Sequence, residues 1–136
     1  MCDGPASQGD DVKKQISTPL APGAIGPYSQ AIRVGDLLFI SGQLPVDPST
    51  GILEQNDIAV QTERAMQNIM ALVQEAGFTP ADIVKTSCLL ADLADFPLFN
   101  EIYARFFSEE PPARETYQVA ALPLDARVEI SAVCAR

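Results

Sequence analysis

The sequence predicts an α+β domain, a mixed sheet with two helices packed on one face. Three observations carry that expectation. Residues 58–76 hold Met66, Ile69, Met70 and Val73 at the i, i+3, i+4 and i+7 spacing of a helix. Residues 95–107 gather Phe96, Phe99, Tyr103, Phe106 and Phe107 on a second helical face. The closing stretch alternates with period two instead, Ala126, Val128, Ile130, Ala132 and Cys134 in one phase, Arg127, Glu129 and Ser131 in the other. Two helices cover only one side of such a sheet, so the charged side must meet water, a ligand or another subunit.

Residues 1–15, MCDGPASQGDDVKKQ, carry too little apolar surface to offset ordering entropy and are read as a flexible tail before a single domain over 16–136. Pro19, Pro22, Gly23, Gly26 and Pro27 then force an extended, turn-rich path. AIRVGDLLFISGQLP predicts a hairpin about Gly35-Asp36, its second strand breaking at Gly42 and Pro45. Turn chemistry in DPSTG leads to Asp57, a cap for the first helix, which Gly77 is placed to end. Thr79 and Pro80 open a single helical turn before a strand from Ile83 to Leu90. Asn100 falls on the edge of the second helix's aromatic face. Two strands, Thr116–Val119 and Arg127–Ala135, close the chain.

Composition narrows the chemistry. Eighteen acidic against nine basic residues give a net charge of −9, which repels phosphate backbones and anionic lipid, and there is no Lys/Arg-rich run. Nucleic acid and membrane are therefore not expected partners. Three cysteines without a CxxC spacing suggest neither a disulfide framework nor a zinc site, and with no signal peptide or membrane span the expected location is cytoplasmic. The chain has no histidine, which removes Ser-His-Asp triads, Cys-His pairs and histidine metal sites. Neither GxGxxG nor a Gly-rich GK[ST] loop is present.

What remains is Arg, Glu, Tyr, Lys, Cys and main-chain groups. Arg114 follows a stiff Pro-Pro-Ala and can grip a carboxylate with two parallel hydrogen bonds, or it can be an ordinary strand-edge ion pair. Glu129, between Val128 and Ile130, can orient and activate water, or it can be a solvated cross-strand partner. Tyr28 can face a ligand or pack under its loop. Asn100 can reach a ligand or cap backbone, and Ser41-Gly42 can offer main-chain groups or form a plain turn. Cys88 and Cys134 read as buried packing residues in preference to nucleophiles, because nothing obvious lowers their pKa, and Lys85 can be a Schiff-base amine or simply an exposed strand lysine.

GAIGPYSQA, ISGQLPVDPSTG, DIVKTSCLLADLADFPLFNEIYARFF and PPARETYQVAALPLDARVEISAV together resemble the RidA family, also called YjgF, from about Ile16 to Val133. The resemblance implies a chorismate-mutase-like fold and a homotrimer, its sheets forming a barrel-like centre with sites between subunits. It implies hydrolysis of 2-imino acids, 2-iminobutanoate and 2-iminopropanoate, to 2-oxo acids and ammonia, with no metal or organic cofactor. Matched position by position, Arg114 is the carboxylate clamp and Glu129 the water-handling acid. Tyr28, Asn100 and Gly42 border the ligand, and Thr116 offers its backbone N–H. Glu115, where the family often has serine, and Ser131, where it often has a second acid, depart from the pattern; strand alternation turns Glu115 away from Arg114. The alternatives are a non-catalytic module that binds small carboxylates and, against the charge and the missing histidine, an endoribonuclease or translation inhibitor.

Overall fold

A computed structural model describes residues 12–136. Eight strands and two α-helices follow one another along it: β1 Lys14–Ile16, β2 Ala31–Val34, β3 Leu37–Gln43, β4 Val46–Asp47, β5 Ile52–Leu53, α1 Ile58–Glu75, β6 Ile83–Leu90, α2 Phe96–Ala104, β7 Ala113–Gln118 and β8 Val128–Ala135. Six strands form one mixed sheet in the order β1-β2-β3-β8-β6-β7, and β4 and β5 make a small separate ribbon. Only β6 and β7 run parallel, joined by the α2 crossover.

Residues 1–11 of the expected tail lie outside the described residues, whereas Lys14 and Gln15 belong to β1, opposite Arg33 and Ile32. Edge pairing is made by main-chain groups, so two polar side chains do not oppose it, and Ile16 packs on the core.

Asp57 caps α1, its Oδ1 accepting from the N–H of Ala59 and Val60. Ala65, Met66, Ile69, Leu72 and Val73 of this helix are buried against Leu38 and Ile40 of β3 and Val128, Ile130 and Cys134 of β8. Met70 is only partly buried, and polar residues take the rest of the face. Gln61 donates to the carbonyls of Glu54 and Gln55 and accepts from the N–H of Arg127, while Asn68 donates to the carbonyls of Leu44 and Val46. These amides satisfy loop carbonyls that would otherwise be buried unpaired.

The second helix is shorter than its aromatic pattern. Leu93–Asp95 forms a 3₁₀ turn, and after Ala104 the chain tightens, Phe106 N–H bonding to the Tyr103 carbonyl and Phe107 N–H to that of Ala104. Phe99 and Tyr103 enter the same core as α1, so both helices lie on one sheet face. The other face carries Phe39, Val133 and Lys85 in one row, Ser131, Ser87 and Glu115 in the next, and Glu129, Leu89 and Tyr117 in a third. Phe39 is 46% exposed and Tyr117 53%, so this face is open in the single chain. Among the described residues no helix is long and apolar enough to cross a membrane.

Candidate functional site

Register divides the expected site residues between the two sheet faces. Thr86, Cys88 and Leu90 of β6 stand beside Arg114, Thr116 and Gln118 of β7, and beside Ala132, Ile130 and Val128 of β8. Since Cys88, Leu90, Ile130 and Val128 are fully buried under the helices, Arg114 and Thr116 belong to the helix side. Glu129 stands beside Leu89 and thus on the open side. One chain sets its candidate clamp and its candidate acid back to back.

Three of the residues come together on the helix side. The strand β7 starts at Ala113, earlier than the sequence pattern indicates, so Arg114 is held inside the ladder. Its Nη1 donates to Asn100 Oδ1 at 2.8 Å, and its guanidinium carbon lies 5.4 Å from the Phe96 ring centre and 4.9 Å from that of Tyr103. Thr116, two residues on, buries its hydroxyl with no hydrogen-bond partner among the described residues. Such an orphan costs on the order of 1–3 kcal/mol. Cys88 faces Thr116 across the ladder, and burial pushes its thiol up to about 11. That keeps it protonated and unreactive near neutrality.

Glu129, Gly42 and the Tyr28 loop make a second group. The β3–β8 register shifts between Ile40 and Gln43, so Ser41 and Gly42 form an irregularity within β3 and not the strand break read from the sequence. A Cβ at Gly42 would fall inside the contact distance of Glu129 Oε2 and 2.9 Å from its Cδ. Glycine is therefore the residue that lets the carboxylate lie against the β3 backbone. Burial raises the Glu129 carboxyl above the ordinary value of 4.5. The 26–30 loop is stitched to the same irregularity: Ser41 N–H donates to the Gln30 carbonyl at 3.0 Å and Ser41 Oγ to the Ser29 carbonyl at 2.6 Å. Tyr28 is half exposed, its hydroxyl accepting from the Ile25 N–H at 3.4 Å.

Sequence reasoning missed Gln30, which is 4% exposed. Its Oε1 accepts from the Thr18 N–H, and its Nε2 donates to the carbonyls of Thr18, Ala21 and Pro22. This one side chain folds the Pro/Gly-rich segment over the strand that carries Ser41. A glutamine between a turn-rich stretch and a strand was the available signal. Glu115 accepts from Ser87 Oγ at 3.2 Å and pairs with Lys85 at 3.5 Å on the open face, turned away from Arg114 as alternation requires. Arg127 is bidentate to Asp95 and ties the start of β8 to α2. No cluster of three or more potential metal ligands occurs among the described residues.

Comparison with known proteins places this geometry. The family model described as endoribonuclease L-PSP matches residues 18–136. A RutC family protein of Sinorhizobium fredii is 53% identical over 118 residues, 87% of this chain and 94% of its own. The human 2-iminobutanoate/2-iminopropanoate deaminase is 48% identical over 122 residues, 90% of this chain and 89% of its own. Among solved structures, Escherichia coli TdcF with bound serine superposes with a TM-score of 0.88 at 42% identity, covering 90% of this chain and 98% of that one. With the motifs, the mixed-sheet fold and these relatives in agreement, the chain belongs to the RidA or YjgF family, the one whose model is described as endoribonuclease L-PSP.

Proposed function

We propose that the protein is a cytoplasmic imine deaminase that hydrolyses 2-iminobutanoate and 2-iminopropanoate to 2-oxo acids and ammonia. Its sites lie between the subunits of a homotrimer. Arg114, Asn100 and Thr116 come from one subunit and Glu129, Gly42 and Tyr28 from its neighbour. The observation that carries this reading is the back-to-back placement of Arg114 and Glu129 on opposite faces of one sheet. A small imino acid held by one of them is out of reach of the other in the same chain. A heterologous interface, repeated until the ring closes, brings the two kinds of half-site together. The human relative's name specifies this activity, and the bacterial neighbour is solved with serine, an amino acid carrying the carboxylate that Arg114 would take.

The chemistry follows from the groups. Arg114 binds the substrate carboxylate, and fixing the molecule removes part of the entropic barrier. Glu129, less acidic than a solvated glutamate, is suited to accept a proton from the attacking water near neutral pH. Its charge also favours the protonated iminium, the more electrophilic form. Water oxygen bonds to the C=N carbon, Glu129 takes its proton, and the carbinolamine nitrogen receives a proton. The C–N bond then breaks, ammonia leaves, and the carbinol O–H gives up its proton as the 2-oxo group forms.

Two assays test this. Coupled to a threonine dehydratase, the protein should accelerate 2-oxobutanoate release, and Arg114→Ala should abolish the acceleration. Tight 2-oxobutanoate binding without any acceleration would favour the carboxylate-binding module instead. Arg114→Ala and Glu129→Gln subunits, unfolded and reassembled together in equal amounts, should regain about a quarter of wild-type activity, because random rings pair an intact Arg114 half with an intact Glu129 half at that frequency. No recovery in rings shown to be mixed would place both residues in one chain's own site.

A further inference from the structure

The best-formed part of the molecule outside the reacting groups is the surface on which the Arg114 side chain lies. Phe96, Phe99 and Tyr103 project from one face of α2 at steps of three and four residues. Phe96 and Phe99 stack at 6.5 Å with 19° between their planes, and Phe99 and Tyr103 sit 5.5 Å apart. The Arg114 guanidinium carbon is 5.4, 5.8 and 4.9 Å from the three ring centres. Tyr103 is itself fixed, its hydroxyl 2.7 Å from Thr86 Oγ1 in a fully buried contact. Thr86 is also the residue beside Arg114 in the β6–β7 ladder. A closed circuit results: the strand neighbour of Arg114 anchors the ring that Arg114 rests on.

We propose that Phe96 and Tyr103, with Thr86 behind Tyr103, are positioning residues that hold the Arg114 guanidinium ready for a carboxylate. The proposal rests on Arg114 being the anion clamp of the preceding section. A guanidinium has five N–H donors in a fixed fork. Among the described residues only Nη1 is taken, by Asn100. Aromatic faces attract the cation through their quadrupoles but accept none of its strong hydrogen bonds. They therefore restrain the plane of the fork without competing with the ligand, as an aspartate or glutamate in the same place would do. Burial of the rings adds to the effect, since water that would otherwise solvate the cation is kept off one face.

The test measures 2-oxobutanoate binding by calorimetry, with dehydratase-coupled kinetics, on Phe96→Leu, Tyr103→Leu, Tyr103→Phe and Thr86→Val, each checked by its melting curve. The two leucine variants should weaken binding about tenfold and raise KM in step, leaving kcat within about twofold, as loss of ground-state positioning requires. Tyr103→Phe, which keeps the ring, should lose about twofold. The Arg114 Nε–H resonance should be ring-shifted in the intact protein and should move towards the free-arginine position in the leucine variants, a signature that loss of packing elsewhere would not give. Phe96 is only partly buried, so its variant serves if Tyr103→Leu does not fold. Leucine variants with unchanged affinity and resonance, beside an Arg114→Ala variant that has lost binding, would overturn the cradle alone. Binding undiminished by Arg114→Ala would overturn the clamp, and the cradle's purpose with it.

Discussion

Arg114 and Glu129 stand on the two strands that flank β6, yet their surroundings are opposites. The cation is supported from within its own chain by an amide, three rings and an anchored tyrosine hydroxyl. The carboxylate lies against a bare stretch of backbone, and burial in the single chain raises it above the ordinary carboxylate range. Binding an anion calls for a group whose geometry is set beforehand and whose charge is permanent. Moving a proton calls for a group that changes charge easily, which stabilising contacts would hinder. On the proposed assignment, with Arg114 as clamp and Glu129 as base, pre-organisation is concentrated on the binding half and withheld from the reacting half.

The largest expected effect breaks the reacting half. Glu129→Gln keeps the shape and removes the base, and kcat should fall by about 10²–10⁴ while 2-oxobutanoate affinity changes little. A matching loss of affinity in calorimetry would show that Glu129 binds instead of reacting. Next is Gly42→Ala, whose methyl displaces the Glu129 carboxylate; a shift on the order of 1 Å should cost about 10² in kcat/KM. An active Gly42→Ala enzyme would mean that Glu129 works from another rotamer.

Acidity gives a smaller and directional effect. A carboxyl raised by burial binds its proton more tightly folded than unfolded, so Glu129 costs stability that grows as pH rises through its shifted value. Glu129→Gln should therefore melt higher than the parent at neutral pH, and the gain should fade as the pH is lowered past that point. The parent's kcat/KM should show an acid limb above the ordinary 4.5. Equal melting curves at neutral pH would remove the contrast between the halves. The smallest effect belongs to Glu115→Ser. It dissolves the part-exposed pair with Lys85 on the open face, and it should shift stability by under about 1 kcal/mol and leave KM for the imino acid unchanged. A changed KM would link that face to the clamp.

Much of this contrast was legible in particular residues. The phase of β8 is written in Val128, Ile130, Ala132 and Cys134, so the side on which Glu129 emerges followed from alternation. The phase of β7 is not. Arg114, Thr116 and Gln118 face the helices, and no run of aliphatic residues marks that side, because the aromatic face of α2 supplies the apolar surface they meet. The strand β1 was hidden for a related reason, its pairing being carried by main-chain groups. Ser41-Gly42 read as a break because a glycine signals irregularity without saying whether pairing resumes, and here it resumes at Gln43 opposite Ile130. Gln61, Asn68 and Gln30 look like surface glutamines and asparagine until the loops that they satisfy are known.

The approach of Glu129 to Gly42 also limits how the protein can diversify. Two positions far apart in the chain share one small volume, so a side chain at 42 is tolerable only if the acid at 129 retracts. Libraries that vary either position alone would return mostly dead clones. Gly42→Ala joined to Glu129→Asp, a shorter carboxylate, opens a path that neither single change offers, and a double-mutant cycle on that pair should depart sharply from additivity.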